Sequence, residues 1–290
     1  MTKQSAAASL PGDLVSAEWL QANLDNPRLV VLDCSWHQPH MKRDALAEYA
    51  QQHISGARFF DFDQRIADPN SSLPHMLPDA ELFAREVGAL GIGNDSLIVV
   101  YDAVGIQTAA RGWWMFRCFG HEQVAVLDGG LPAWREAGGA IEQGETQAAT
   151  AARFEARFDP AWVRDLSAVK HALGRPEVVV VDARSAGRFA GTEPEPRAGM
   201  RGGHMPSSVS LPFTELLDKG RFKSVQQIES LLEARELNPG QELVFSCGSG
   251  VTACILALGA KLAGYSKLAV YDGSWSEWGG RDDTPIIDGS

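Results

Sequence analysis

Four short stretches of this chain occur twice, in the same order and at nearly constant spacing. Leu29-Val30-Val31-Leu32-Asp33 returns as Val178-Val179-Val180-Val181-Asp182, an apolar run closed by Asp each time. His53-Ile54-Ser55-Gly56-Ala57, leading to Phe59-Phe60, has its counterpart in His204-Met205-Pro206-Ser207-Ser208, leading to Leu211-Pro212-Phe213. The run from Leu97 to Asp102 matches the run from Leu243 to Cys247. Val124 to Trp134, with Asp128-Gly129-Gly130, matches Leu268 to Trp278, with Asp272-Gly273-Ser274. The offsets are 149, 151, about 145 and 144. Such ordered self-similarity reads as one domain duplicated, and 290 residues suit two domains.

Each half alternates short apolar runs with helical spacing. Strands are expected at 97–101, 124–127, 243–245 and 268–271, and helices at 79–90, 109–119, 225–235 and 252–262. That alternation predicts an α/β fold: two tandem domains, each a mostly parallel sheet flanked by helices. Ligands bind beyond the carboxyl ends of such strands. The expected boundaries are 1–138 for the first domain, 139–165 for a linker and 166–290 for the second. Within the linker, Gln143 to Ala152 is low in complexity and reads as surface chain. Phe154, Phe158 and Trp162 alternate with polar residues, so that part is expected to lie against a domain.

The chemistry concentrates at Cys247-Gly248-Ser249-Gly250-Val251-Thr252, between a predicted strand and a predicted helix. Glycine there allows positive φ, so that successive N–H groups can turn toward one point. Such a nest, with a helix N-terminus behind it, attracts an anion and favours a thiolate. A cysteine beside an apolar run is more simply a small buried hydrophobe; the Gly-Ser-Gly sequence speaks against that for Cys247, whereas Cys254, on the helix, fits it. A phosphatase-type loop would carry Arg six residues after the Cys, for bidentate phosphate binding. Ala253 stands there, and the next cation is Lys261. In the first half the position of Cys247 is taken by Asp102, so only the second half is expected to be catalytic.

The formal net charge of −11 argues against nucleic acid or an anionic membrane surface as partner. No apolar run reaches the roughly 18 residues that span a bilayer, and 1–12 lacks the apolar core of a secretory signal. The four cysteines, Cys34, Cys118, Cys247 and Cys254, form no CxxC pair. Neither a metal site nor a disulfide framework is expected, nor a cofactor, and a reduced, cytoplasmic protein is.

Together these motifs resemble the rhodanese (sulfurtransferase) family in its tandem form, from about Val15 to Arg281. The Cys247–Thr252 loop is similar to that of the branch using 3-mercaptopyruvate; the thiosulfate branch carries basic residues after the Cys. The resemblance implies a Cys247 persulfide, cradled by Gly248, Gly250, Val251 and Thr252, that passes sulfur to a thiol such as thioredoxin or a small thiol, or to cyanide. It implies Arg188 and Arg197 as holders of the donor's carboxylate and keto oxygen, a task suited to a planar guanidinium; the plain alternative is a solvated basic loop neutralised by Glu193 and Glu195. It implies Asp63 and His75, in a loop facing the cysteine from the other domain, as a proton relay with Ser249. His53, His204, Asp272 and Glu277 are expected to be structural. The competing expectations are thiosulfate as donor and a non-catalytic persulfide-carrier or binding module.

Overall fold

The two apolar runs closed by Asp become equivalent central strands in two five-stranded parallel sheets. The computed structural model describes residues 9–144, 146 and 149–288. Glu145, Gln147 and Ala148 of the low-complexity stretch, like residues 1–8, lie outside the described residues. The first sheet holds β1 (Leu14–Val15), β2 (Leu29–Asp33), β3 (Arg58–Phe59), β4 (Leu97–Tyr101) and β5 (Val124–Leu127). The second holds β6 (Val163–Arg164), β7 (Val178–Asp182), β8 (Val209–Ser210), β9 (Glu242–Ser246) and β10 (Leu268–Tyr271). The order is β1-β5-β4-β2-β3 in one and β6-β10-β9-β7-β8 in the other, the same arrangement twice. The fold is α/β.

The register carries the duplication to single residues. Asp33 pairs with Tyr101, and Asp182 with Ser246. Asp102 and Cys247 therefore each follow the last residue of an equivalent strand. The cores repeat as well: Leu20, Val31, Ile54, Val99, Leu127 and Trp134 in one correspond to Val169, Val180, Met205, Val244, Tyr271 and Trp278 in the other. Trp134 and Trp278 are wholly buried, and truncating such a side chain costs about 3–5 kcal/mol. A fifth marker emerges: His53–Ile54 pairs antiparallel with Ile141–Glu142, as His204 bridges to Ile287.

Helix boundaries follow local chemistry. Asp79 caps Ala80–Ala89 by accepting the Leu82 N–H at 2.7 Å, and Ser224 with Gln227 forms a capping box on Val225–Glu233. Ala253–Leu262 begins one residue later than its spacing predicts, because Thr252 is the N-cap. Its residues Ala253 to Ala260 are all buried, as suits a helix apolar all round.

The described chain divides into two compact units. One comprises residues up to Ile66 with Pro78–Phe158 and Lys219–Arg221; the other comprises Ala67–Leu77, Asp159–Asp218 and the chain from Phe222. Phe154 packs buried against Phe83, Phe116 and His121, so the connecting chain does lie on the first unit. Phe158 remains half exposed beside Phe119.

Candidate functional site

Strand β9 delivers Cys247 to the carboxyl end of the second sheet, only 2% exposed. The loop that follows is shaped by Ser274. Its hydroxyl accepts the N–H groups of Cys247 (3.2 Å) and Gly250 (3.1 Å) and donates to the Tyr271 carbonyl at 2.8 Å. Ser274 is fully buried at φ +49° and Gly250 lies at φ +73°, the left-handed region that favours glycine. The neighbouring backbone closes the clamp: Trp275 N–H donates to the Cys247 carbonyl at 2.9 Å, and Ser276 N–H to the Gly248 carbonyl at 2.8 Å. Val251 and Ser249 are buried, Thr252 half-buried. Cys254 is buried on the helix, its thiol donating to the Gly250 carbonyl.

The first unit displays what the same strand–loop–helix architecture can hold. The Asp102 carboxylate accepts five backbone N–H groups, from Val104, Gly105, Gln107, Thr108 and Ala109, at 2.8–3.1 Å. Amides thus converge on the side chain that follows the strand, as an anion nest requires. In the second unit that side chain is the Cys247 thiol. The first unit's cradle is filled by its own carboxylate.

Two guanidinium groups come to the Cys247 loop. A Cβ placed on Gly248 would lie 3.1 Å from Arg188 Nη2 and 4.0 Å from Nη1, so this guanidinium covers the glycine. Arg197 Nη1 donates to Ser276 Oγ at 3.1 Å, which itself donates to the Gly248 carbonyl at 2.6 Å. Glu195 accepts from Arg188 Nε (3.2 Å) and Nη2 (2.5 Å), so the neutralised-loop alternative holds for one edge of that fork. Glu193 instead accepts from Ser185 Oγ.

Behind them stands Arg184, which the sequence reading passed over. It is 2% exposed. Its Nε and Nη2 donate to the Asp182 carboxylate at 2.6–3.1 Å, its Nη1 to Glu195 at 2.7 Å and its Nη2 to the Gly203 carbonyl at 2.8 Å. Its guanidinium lies 3.9 Å from the Trp275 ring centre, a cation–π contact. Burial works against its charge, but Asp182 and Glu195 outweigh that and hold its pKa above the usual arginine value. Arg184 fixes Glu195, and Glu195 fixes Arg188.

His75 is 3% exposed at φ +60°, in the Ala67–Leu77 segment that belongs to the second unit. That segment is tied down where Leu77 N–H donates to Asp272 Oδ2 at 2.7 Å. Asp63 belongs to the first unit, where its carboxylate accepts from Gln64 Nε2 at 2.8 Å. His53 and His204 bond the carbonyls of Tyr49 and Phe189 through Nδ1, each at 2.9 Å, and Glu277 accepts from the Tyr271 hydroxyl. Cys34 is fully buried, and burial, then Asp33 and Asp102, push its thiol pKa well up. Among the described residues no cluster of three or more His, Cys, Asp or Glu could hold a metal ion, and no helix is long and apolar enough to cross a membrane. The residues missed, Ser274 and Arg184, had one signal each: Ser274 stands where the repeat has Gly130, also at positive φ, and Arg184 closes Asp-Ala-Arg directly after an apolar run.

Comparison with known proteins gives the same picture. The rhodanese-like domain model matches twice, at residues 16–137 and 165–281. The chain is 45% identical to the 3-mercaptopyruvate sulfurtransferase of Homo sapiens over 280 residues, 94% of each chain. It is 41% identical to an Arabidopsis thaliana mitochondrial protein named thiosulfate/3-mercaptopyruvate sulfurtransferase 1, over 97% of this chain and 80% of that one. A crystal structure of a 3-mercaptopyruvate sulfotransferase from Escherichia coli superposes with a TM-score of 0.83 at 33% identity, covering 91% of this chain and 99% of that one. Two matched domains, and relatives that align almost end to end, make the assignment plain: the chain belongs to the rhodanese-like family, in its tandem two-domain form.

Proposed function

We propose that this protein is a sulfurtransferase that takes the sulfur of 3-mercaptopyruvate onto Cys247, passes it to a thiol or to cyanide, and releases pyruvate. The observation that carries this reading is Arg188 over Gly248, the residue after the nucleophile, with Arg197 linked to the same glycine through the Ser276 hydroxyl. Two forks beside a thiol suit a donor whose carboxylate and keto oxygen lie on one side of its sulfur.

The Cys247 thiolate attacks the donor's sulfur, forming the S–S bond. The carbon–sulfur bond breaks with its electron pair going to carbon, and pyruvate leaves as the enolate, its charge held by Arg188 and Arg197. A proton then converts the enolate to pyruvate; we assign its delivery to Ser249 and His75, with Asp63 as the orienting carboxylate that the resemblance names. The outer sulfur of the persulfide rests among the amides of Gly248 to Thr252 until the acceptor attacks it and the Cys247 thiolate returns. Splitting the transfer into two displacements lowers each barrier. Thioredoxin or a small thiol is the acceptor we favour, and the cytoplasm the compartment, a setting that suits four free, buried cysteines.

Arg188→Ala and Arg197→Ala test the donor. A charge-assisted hydrogen bond is worth about 1.5–3 kcal/mol, so each should lower kcat/KM for 3-mercaptopyruvate roughly 10- to 150-fold and lower thiosulfate turnover less. Equal losses with both donors would favour thiosulfate.

A further inference from the structure

A sizeable cavity lies in the first unit, the one without the cysteine nucleophile. It has a volume of about 560 Å³ and sits over the carboxyl ends of β2 and β4, with Asp33, Ser35, Tyr49, Gln52, Ala103 and Leu131 in its wall. That is far more than a few waters require and within the range of small-molecule sites.

The second unit identifies what this space is built for. By the repeat, Asp33 corresponds to Asp182, Ser35 to Arg184, Gln52 to Gly203, Ala103 to Gly248 and Leu131 to Trp275. In the second unit the guanidinium of Arg184 stands against the equivalent carboxylate, pinned by Asp182 and the Gly203 carbonyl and stacked on Trp275. In the first unit the arginine is a serine and the tryptophan a leucine. The carboxylate is retained in the same local frame: Ser35 N–H donates to Asp33 Oδ1 at 2.9 Å, as Arg184 N–H donates to Asp182 Oδ1 at 3.0 Å. The guanidinium has gone, and the carboxylate that receives it has stayed.

Other charges in the wall are partly spoken for. Arg43 pairs with Glu48 at 2.6 Å, and Glu136 with Arg221 at 3.0 Å. Asp33, only 2% exposed, has no cation of its own among its described hydrogen bonds. Burial accordingly pushes its carboxyl up to about 6, against the pull of the Ser35 bonds. A buried carboxylate ordinarily requires a charged partner. Exposed Arg135 lines the same cavity, so a ligand with a carboxylate at its far end suits it.

We propose that the first unit binds a small guanidinium compound in this cavity, with the guanidinium against Asp33 where the second unit holds its own Arg184. The site is independent of the sulfur-transfer reading, since none of its residues belongs to the Cys247 loop.

The test is isothermal titration of the full chain with L-arginine and with methylguanidinium, using L-citrulline as the uncharged isostere. The expected result is saturable one-to-one binding of both cations, with citrulline roughly tenfold or more weaker. Asp33→Asn should weaken arginine binding by a similar factor. Ser35→Arg, which supplies the guanidinium from the chain itself, should abolish it while leaving sulfur loading at Cys247 intact. No saturable binding to the unaltered chain, equal binding of citrulline, or full binding by the folded Ser35→Arg variant would each overturn the proposal.

Discussion

Replacing Arg184 by Met would remove a buried cation from between two carboxylates while nearly conserving side-chain volume. Asp182 and Glu195 have side chains 2% and 4% exposed, and both bond this guanidinium. Breaking a buried ion pair from one side costs about 3–5 kcal/mol, because the remaining charge stays desolvated. Two features favour the lower end: Asp182 keeps the Arg184 backbone N–H, and Glu195 keeps Arg188. We therefore expect a loss of about 3 kcal/mol in the second unit, which for a domain of roughly 150 residues lowers its Tm by about 6–12 °C. The first unit's transition should not move. With Glu195 freed from Arg184, the edge of Arg188 at Gly248 loses its fixed position, and KM for 3-mercaptopyruvate should rise more than kcat falls. Arg184→Lys, which restores charge without the fork, should recover stability in part. Calorimetry and steady-state kinetics on the three proteins read these outcomes. A loss below about 1 kcal/mol in the Met variant, the value of an exposed pair, with KM unchanged, would refute the chain of support from Arg184 through Glu195 to Arg188.

Asp33 should make stability depend on pH. Its carboxyl pKa is raised from 3.8 to about 6, so between those values the native state holds a proton that the unfolded chain has lost, and stability falls as pH rises, by about 3 kcal/mol in all. Asp33→Asn lacks this contribution; urea melts near pH 4 and pH 7 should show the variant gaining about 2.4 kcal/mol relative to the parent, the rest having been lost below pH 4, and a constant difference would contradict it. Gly248→Arg places a side chain where a Cβ already meets Arg188 at 3.1 Å and sets two cations together. It should lower kcat/KM for 3-mercaptopyruvate roughly tenfold or more while raising the thiosulfate rate, and an unchanged donor ratio would count against the crowding argument.

The sequence made the strands legible where burial on both faces leaves continuous apolar runs: 97–101, 124–127 and 268–271 are strands as expected. The repeat foretold the equivalence of Asp102 and Cys247, which sheet register then fixed. Two-residue edge strands such as Leu14–Val15 carry too little pattern to be read. Side-chain partners were illegible for another reason. The Ser274 clamp and the burial of Arg184 arise from residues far apart in sequence, brought together by the parallel crossovers, whereas the five amides on Asp102 come from the loop directly after it. The Ala67–Leu77 segment lies early in the chain yet packs with the second unit. No local propensity announces that.

The central claim is that Cys247 receives the sulfur and that 3-mercaptopyruvate gives it. It is tested most directly by the intact mass of the protein after brief, separate exposure to 3-mercaptopyruvate and to thiosulfate, with a Cys247→Ser variant alongside. The account predicts one added sulfur atom, loaded faster from 3-mercaptopyruvate, and none on the variant. Sulfur on the variant, or faster loading from thiosulfate, would contradict it.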